Sequence, residues 1–256
     1  MAAAGEGYFR QQDPVDRGAG QSDGYRLHLL SSFLLRRKNA TVTLPMGSQR
    51  LLAFLALQGP APRCAVLGTL WPDVTESLGR GSLRTAMWRL HVGAPRLIQA
   101  LGDMLVLRPD AQVDIHALNY SAQVILGQAS QAPVGRVVLD ARGDLLPGWH
   151  DDWVIFERER LRQLRLHALD ALAGQLTVRG RYAEALEAAM ESTRIEPLRE
   201  SANRMIIAIH LAEDNVAEAL RHYGLFRDLL GAELGIEPSA RLTSMLPAPL
   251  RPVGRC

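Results

Sequence analysis

Arg80, Arg84 and Arg89, with Ser82, Thr85, Trp88 and His91 among them, are the side chains of this 256-residue chain best suited to recognition chemistry. An arginine can bond guanine bidentately, and each such pair is worth about 1–3 kcal/mol of discrimination against a wrong base. To act together these groups must share a surface. At about 100° per residue, with Arg80 at zero, Ala86, Leu90, Leu83 and Met87 fall within an arc of roughly 100°. Arg80, His91, Arg84, Ser77, Trp88, Gly81, Thr85, Arg89 and Ser82 occupy the rest. The spacing therefore predicts an amphipathic helix over about Gly79–Val92 with an arginine-rich outer face. On that projection Trp88 points outward between Arg84 and Arg89, either to meet sugar or thymine methyl groups or to pack against a neighbouring sheet. Arg96–Leu101 and Met104–Leu107 follow as two apolar-leaning runs joined by Gly102-Asp103, a two-residue loop suited to a mirror-image hairpin turn. A helix and then a hairpin are the parts of a winged helix-turn-helix, which sets a helix in the DNA major groove. The plain alternative is an ordinary helix with solvated arginines beside an ordinary hairpin.

The elements that would position this helix can be read upstream. Tyr25–Leu44 reads as strands, RLHLLSSFLLRR and ATVTL, interrupted at Lys38-Asn39. A first helix is expected over about Gly47–Leu57, with Ser48 as its cap and Leu51, Leu52 and Leu55 facing inward. Gly59-Pro60-Ala61-Pro62 ends it, and a second helix is expected from Arg63 to Trp71, stopped by Pro72. Arg50 and Arg63 lie near the starts of these two helices, where phosphate is attracted and backbone contacts form.

Charge is unevenly distributed. Between Tyr25 and Gly102 the basic residues are Arg26, Arg36, Arg37, Lys38, Arg50, Arg63, Arg80, Arg84, Arg89 and Arg96, against Asp73 and Glu76 alone; from Asp103 onward acids outnumber bases by 21 to 17. The overall +2 hides a basic module followed by a mildly acidic one, as expected for a nucleic-acid-binding domain joined to an interaction domain. No apolar run approaches the ~18 residues that span a bilayer. Residues 1–24 lack the apolar region of a signal peptide and read as a disordered extension. Two cysteines, Cys64 and Cys256, provide no disulfide framework. A cytoplasmic protein is expected.

The second half opens with a helix over DIHALNYSAQVIL, then a polar linker of Gly and Pro, then a long helix from Asp151 to Ala173. Asp151 or Asp152 is expected to cap it rather than to form a metal corner with His150. Tyr182-Ala-Glu-Ala-Leu186 recurs as Val216-Ala-Glu-Ala-Leu220, 34 residues on, which is the tetratricopeptide period. Aligning Pro197 with the repeat's terminal proline puts Ala185 and Ala219 at the small interhelical site and Tyr223 at a bulky packing position. Gly231 stands where the second repeat would have its proline.

The wording LLAFLAL, LGTLWPD, SLRTAMWRL and the hairpin resembles the N-terminal domain of the Streptomyces antibiotic regulatory protein (SARP) family of bacterial activators. LLPGWHDDWVIFERERLRQLRLHALDAL resembles the bacterial transcriptional activator domain. The resemblance spans about residues 25–246. It implies a mainly α fold: a winged helix-turn-helix with a small N-terminal sheet over residues 25–110, an all-α tetratricopeptide-like domain over 113–246, and a tail over 247–256. It further implies promoter DNA and RNA polymerase as partners, a homodimer on directly repeated half-sites, and secondary-metabolite genes as targets. Arg84, Thr85, Trp88 and Arg89 would lie nearest base edges, with Arg80, Ser82 and His91 at phosphates or flanking bases. His91 occupies a position that is commonly arginine in response-regulator-type relatives, and the hairpin tip carries acidic Asp103, so a wing contact with the minor groove is not expected.

Enzymatic signatures are missing. There is no GxxxxGK[ST] run, and the only lysine, Lys38, sits between strand-like runs, so no Walker, kinase or Schiff-base lysine is available. Neither a cofactor nor a metal is expected. The competing reading is a tetratricopeptide adaptor whose winged helix has lost DNA binding.

Overall fold

The computed structural model describes residues 24–127 and 143–247. Most of the expected N-terminal extension, linker and tail lies outside the described residues. The elements in order are β1 (Tyr25–His28), β2 (Leu34–Arg37), β3 (Ala40–Val42), α1 (Met46–Gln58), β4 (Ala61–Pro62), α2 (Arg63–Leu70), α3 (Glu76–Gly93), β5 (Ile98–Leu101), β6 (Met104–Leu107), β7 (Gln112–Val113), α4 (Asp114–Ile125), α5 (Asp152–Val178), α6 (Tyr182–Ile195), α7 (Glu200–Ala212), α8 (Val216–Leu234) and α9 (Ala240–Thr243). The fold is mainly helical, with a small N-terminal sheet, a winged-helix domain and a following all-α domain.

The first sheet has the order β3-β2-β1-β7, with β7 parallel to β1 and the rest antiparallel. Tyr25, Leu27 and Leu35 are buried beneath it while Arg26 and Arg36 face out, the alternation of a half-covered antiparallel sheet. The second sheet, β4-β6-β5, is the wing with one short strand added. That strand, Ala61–Pro62, falls where the sequence reads as a helix stop; its register against Leu105 and Met104 is a long-range pairing. β5 and β6 close at Leu101↔Met104, and Gly102 takes φ +61°, the sign a mirror-image turn requires at its first central position.

Two capping expectations need correction. Pro45, not Ser48, precedes α1, and Ser48 is buried, with its hydroxyl donating to the Ala86 carbonyl of α3 at 3.0 Å. Asp151 does stand at the N-cap of α5, but its side chain makes no capping bond; it pairs with Arg50 instead. In both cases a tertiary partner takes the group that a local cap would have used.

The two halves share their interior. The core of the winged-helix half includes Leu51, Leu52, Leu83 and Leu90, and continues through Ile115 and Leu118 of α4 to Val154 and Leu161 of α5. Further along the same two helices, Ala122, Ile125, Leu169 and Ala173 belong to a second cluster with Ala185 and Ala189 of α6. A third cluster holds Ile207, Ala219, Tyr223 and Phe226 with Leu242 and Leu246. Polar clamps brace the joint. The Asp114 carboxylate accepts from the Leu29 and Leu30 amides at 2.9 and 3.1 Å. Arg158 donates to the carbonyls of Leu145, Leu146 and Trp149 at 2.8, 2.8 and 3.2 Å.

The 34-residue offset corresponds to α6 and α8, each packed against α7. Ala185 and Ala219 are fully buried and Tyr223 is nearly so. Small residues there let helices approach closely, so Ala185→Leu is expected to cost about 1–3 kcal/mol through overpacking. An unchanged urea midpoint would show that the contact is loose. Gly231 is an interior residue of α8, which runs on to stop at left-handed Gly235, φ +67°, the common C-terminal use of glycine. A glycine in place of proline simply lets the helix continue by a turn.

Candidate nucleic-acid interface

α3 is held from beneath and open from above. Gly79, Leu83, Ala86 and Leu90 are buried against the core, and the Ser48 hydroxyl fixes the helix at its middle. Close fits secure both ends: a Cβ at Gly79 would meet Leu67 at 3.4 Å, and one at Gly93 would meet Leu44 at 3.0 Å. The opposite face exposes Arg80, Arg84, Thr85, Trp88, Arg89 and His91, with Ser82 half-buried at its edge. At 100° per residue the middle of this open arc falls near Gly81, where an added Cβ would meet nothing within 4 Å. The helix backbone is thus accessible at the centre of its outer face.

The exposed groups are not equally ready. Arg84 has no hydrogen-bond or ion-pair partner among the described residues. Arg80 is bonded to Glu76 at 2.5 Å in an exposed i,i+4 pair, a type worth only about 0.3–0.5 kcal/mol. Arg89 lies over the Trp88 ring, 5.0 Å from its centroid, and Trp88 is 57% exposed. Of the two alternatives for Trp88, packing against the sheet is therefore not what occurs. The indole is outside, in a cation–π stack worth about 0.5–1 kcal/mol at an exposed site. Thr85 returns its hydroxyl to the Gly81 carbonyl at 3.0 Å.

Arg63 joins this face and Arg50 does not. Arg63, Arg80 and Arg84 line one recess of about 710 Å³ together with Glu76 and Asp103. The Arg63 guanidinium contacts the Met87 sulfur at 3.4 Å, while its amide binds the Asp103 carbonyl at 3.1 Å. The wing tip is therefore folded back against the start of α2, and two acids stand among three arginines. Arg50 is paired with Asp151 at the domain joint, with both side chains about four-fifths buried. Its pairing across 101 residues carried no local sequence signal.

Residues 139–248 match the family model of the bacterial transcriptional activator domain. The matched segment comprises α5 to α9 of the C-terminal half. Among solved structures, Mycobacterium tuberculosis EmbR in complex with a low-affinity phosphopeptide is similar over 89% of this chain and 67% of that one, with a TM-score of 0.63 and 20% identity. At that identity the likeness establishes the shared fold, which extends over both halves of the molecule. No curated protein sequence matches the chain. Among the described residues no helix is long and apolar enough to cross a membrane, and no group of three or more His, Cys, Asp or Glu side chains is placed to hold a metal ion.

Proposed function

We propose that this chain is a SARP-type regulator that binds promoter DNA sequence-specifically and activates transcription, with α3 as the recognition helix in the major groove. The observation that carries this reading is the geometry of α3: a rigidly seated helix whose outer face presents Arg84, Thr85, Trp88 and Arg89 around the bare backbone at Gly81. A helix so placed can approach base edges closely, and its arginines can bond guanine bidentately. Arg80, Ser82, His91 and Arg63 would reach phosphates or flanking bases. Arg50 drops out of the contact set, since its partner Asp151 already holds it. The winged-helix domain would span residues 25–110 and the repeat domain residues 113–246, the latter serving self-association and contact with RNA polymerase. Two copies on directly repeated half-sites, at secondary-metabolite promoters, complete the reading taken from the family.

The test is a gel-shift series with the full chain against DNA upstream of its neighbouring genes, repeated across a salt range. Genuine phosphate contact makes log K fall linearly with log salt, with a slope of about −0.9 per phosphate neutralised. Absence of binding at low salt would overturn the proposal. The adaptor reading draws on Glu76 and Asp103, which oppose the arginines of the recess. The two readings separate at Glu76→Gln. If α3 enters DNA, freeing Arg80 strengthens binding and makes the salt slope steeper by up to about one unit; an adaptor shows no DNA response to this change.

A further inference from the structure

A cleft of about 630 Å³ opens where the turn between α2 and α3 meets the start of α5, within the usual size range of small-ligand sites. Three aromatic side chains line it: Trp71 from just past α2, and Trp153 and Phe156 from the opening turns of α5. Both indoles are half-buried and pack against the core. The Trp153 ring meets Phe54 edge-on, with centroids 5.6 Å apart. The two rings are thus held from behind while still lining the cleft. Phe156 is 74% exposed and takes no part in that core. Charge here is one-sided. Asp151 is spent on Arg50, the one arginine of the lining. Asp73 and Asp152 are exposed and have no hydrogen-bond or ion-pair partner among the described residues. His150 is the only other ionisable group on the wall. Even with His150 protonated, three carboxylates outnumber two cations.

We propose that this cleft binds a small hydrophobic amine, its ammonium group at Asp73 and Asp152 and its apolar body on Trp71, Trp153 and Phe156. An ammonium group answers both kinds of lining at once. Carboxylates accept its N–H bonds in charge-assisted pairs, and aromatic faces attract cations, tryptophan most strongly. The same unpaired aspartates would repel a carboxylate or phosphate ligand. Because the indoles are already held by the core, ordering on binding falls mainly on Phe156, which keeps its cost low. The occupant would touch the α2–α3 turn on one side and α5 on the other. A ligand bound only when these two segments are in place stabilises the folded chain by mass action. This inference is independent of DNA binding and is tested without DNA.

The experiment is isothermal titration of the full chain with 2-naphthylmethylamine, the neutral 2-naphthalenemethanol, the anionic 2-naphthoate and methylamine, together with melting temperatures. One saturable site for naphthylmethylamine is expected, with a raised melting temperature. Affinities should be at least tenfold weaker for the alcohol, which lacks the charge, for naphthoate, which reverses it, and for methylamine, which lacks the apolar body. Asp73→Asn with Asp152→Asn in one variant, and Phe156→Ser in another, are each checked for native circular dichroism. The first is expected to weaken naphthylmethylamine at least tenfold and the second at least threefold. Glu184→Gln, in an exposed pair with Arg181 away from the cleft, is expected to leave it unchanged. No naphthylmethylamine binding at millimolar concentration overturns the proposal. So does equal binding of the alcohol, of naphthoate or of methylamine, or full affinity in either folded cleft variant.

Discussion

Replacing Arg84 and Arg89 together by alanine is expected to remove sequence preference while leaving the fold intact. If each arginine reads a base, the pair supplies roughly 2–6 kcal/mol of discrimination. At 1.4 kcal/mol per factor of ten, specific affinity then falls at least about thirtyfold. Both side chains are exposed and neither supports the core. The structural loss is confined to the stack of Arg89 on Trp88, about 0.5–1 kcal/mol. Competition gel shifts with specific and scrambled duplexes measure the ratio directly. A double variant that keeps its preference would remove α3 from the role of reader, whatever its effect on total affinity. Non-specific binding should persist in part, because Arg63 and Arg80 remain.

Leu118→Ala is expected to have the largest effect on stability. Leu118 is fully buried and sits where the core passes from the winged-helix half into α5. Truncating a leucine in such a place costs about 2–5 kcal/mol, against a total of about 5–15 kcal/mol for a typical domain. Because α4 and α5 contribute to both adjoining clusters, the damage should appear as one cooperative urea transition shifted to lower denaturant. Two separated transitions, only one of them moved, would show that the halves unfold independently and that the common interior is energetically unimportant.

Much of α3 was legible because its information is local. The arc of Leu83, Ala86, Met87 and Leu90 follows from period alone, and Gly102-Asp103 announces its own turn. The repeat was visible in the same way, through Ala185 and Ala219. What could not be read was every interaction closed over long chain distances. Ser48 has the residue type of a cap, yet its hydroxyl reaches α3, 38 residues on. Arg50 looks like a phosphate ligand at a helix start until Asp151 arrives beside it. Pro62 reads as a breaker, and only the position of β6 makes it part of a strand. Arg158, Arg162, Arg165 and Arg194 line one cavity with Leu118 and Asp144, a grouping with no local signal because its members come from separate stretches of the chain.

The continuity of the interior across α4 and α5 also governs how such a protein can be rebuilt. A boundary drawn after residue 110 looks natural on the sequence, but a fragment cut there would leave bare the apolar surface that Ile115, Leu118, Val154 and Leu161 cover. The N-terminal half is therefore not an interchangeable cassette. A graft of this half onto another protein would have to carry α4 and the opening turns of α5 with it, and under the proposed function a change of promoter specificity is better sought by altering side chains on α3 than by exchanging domains.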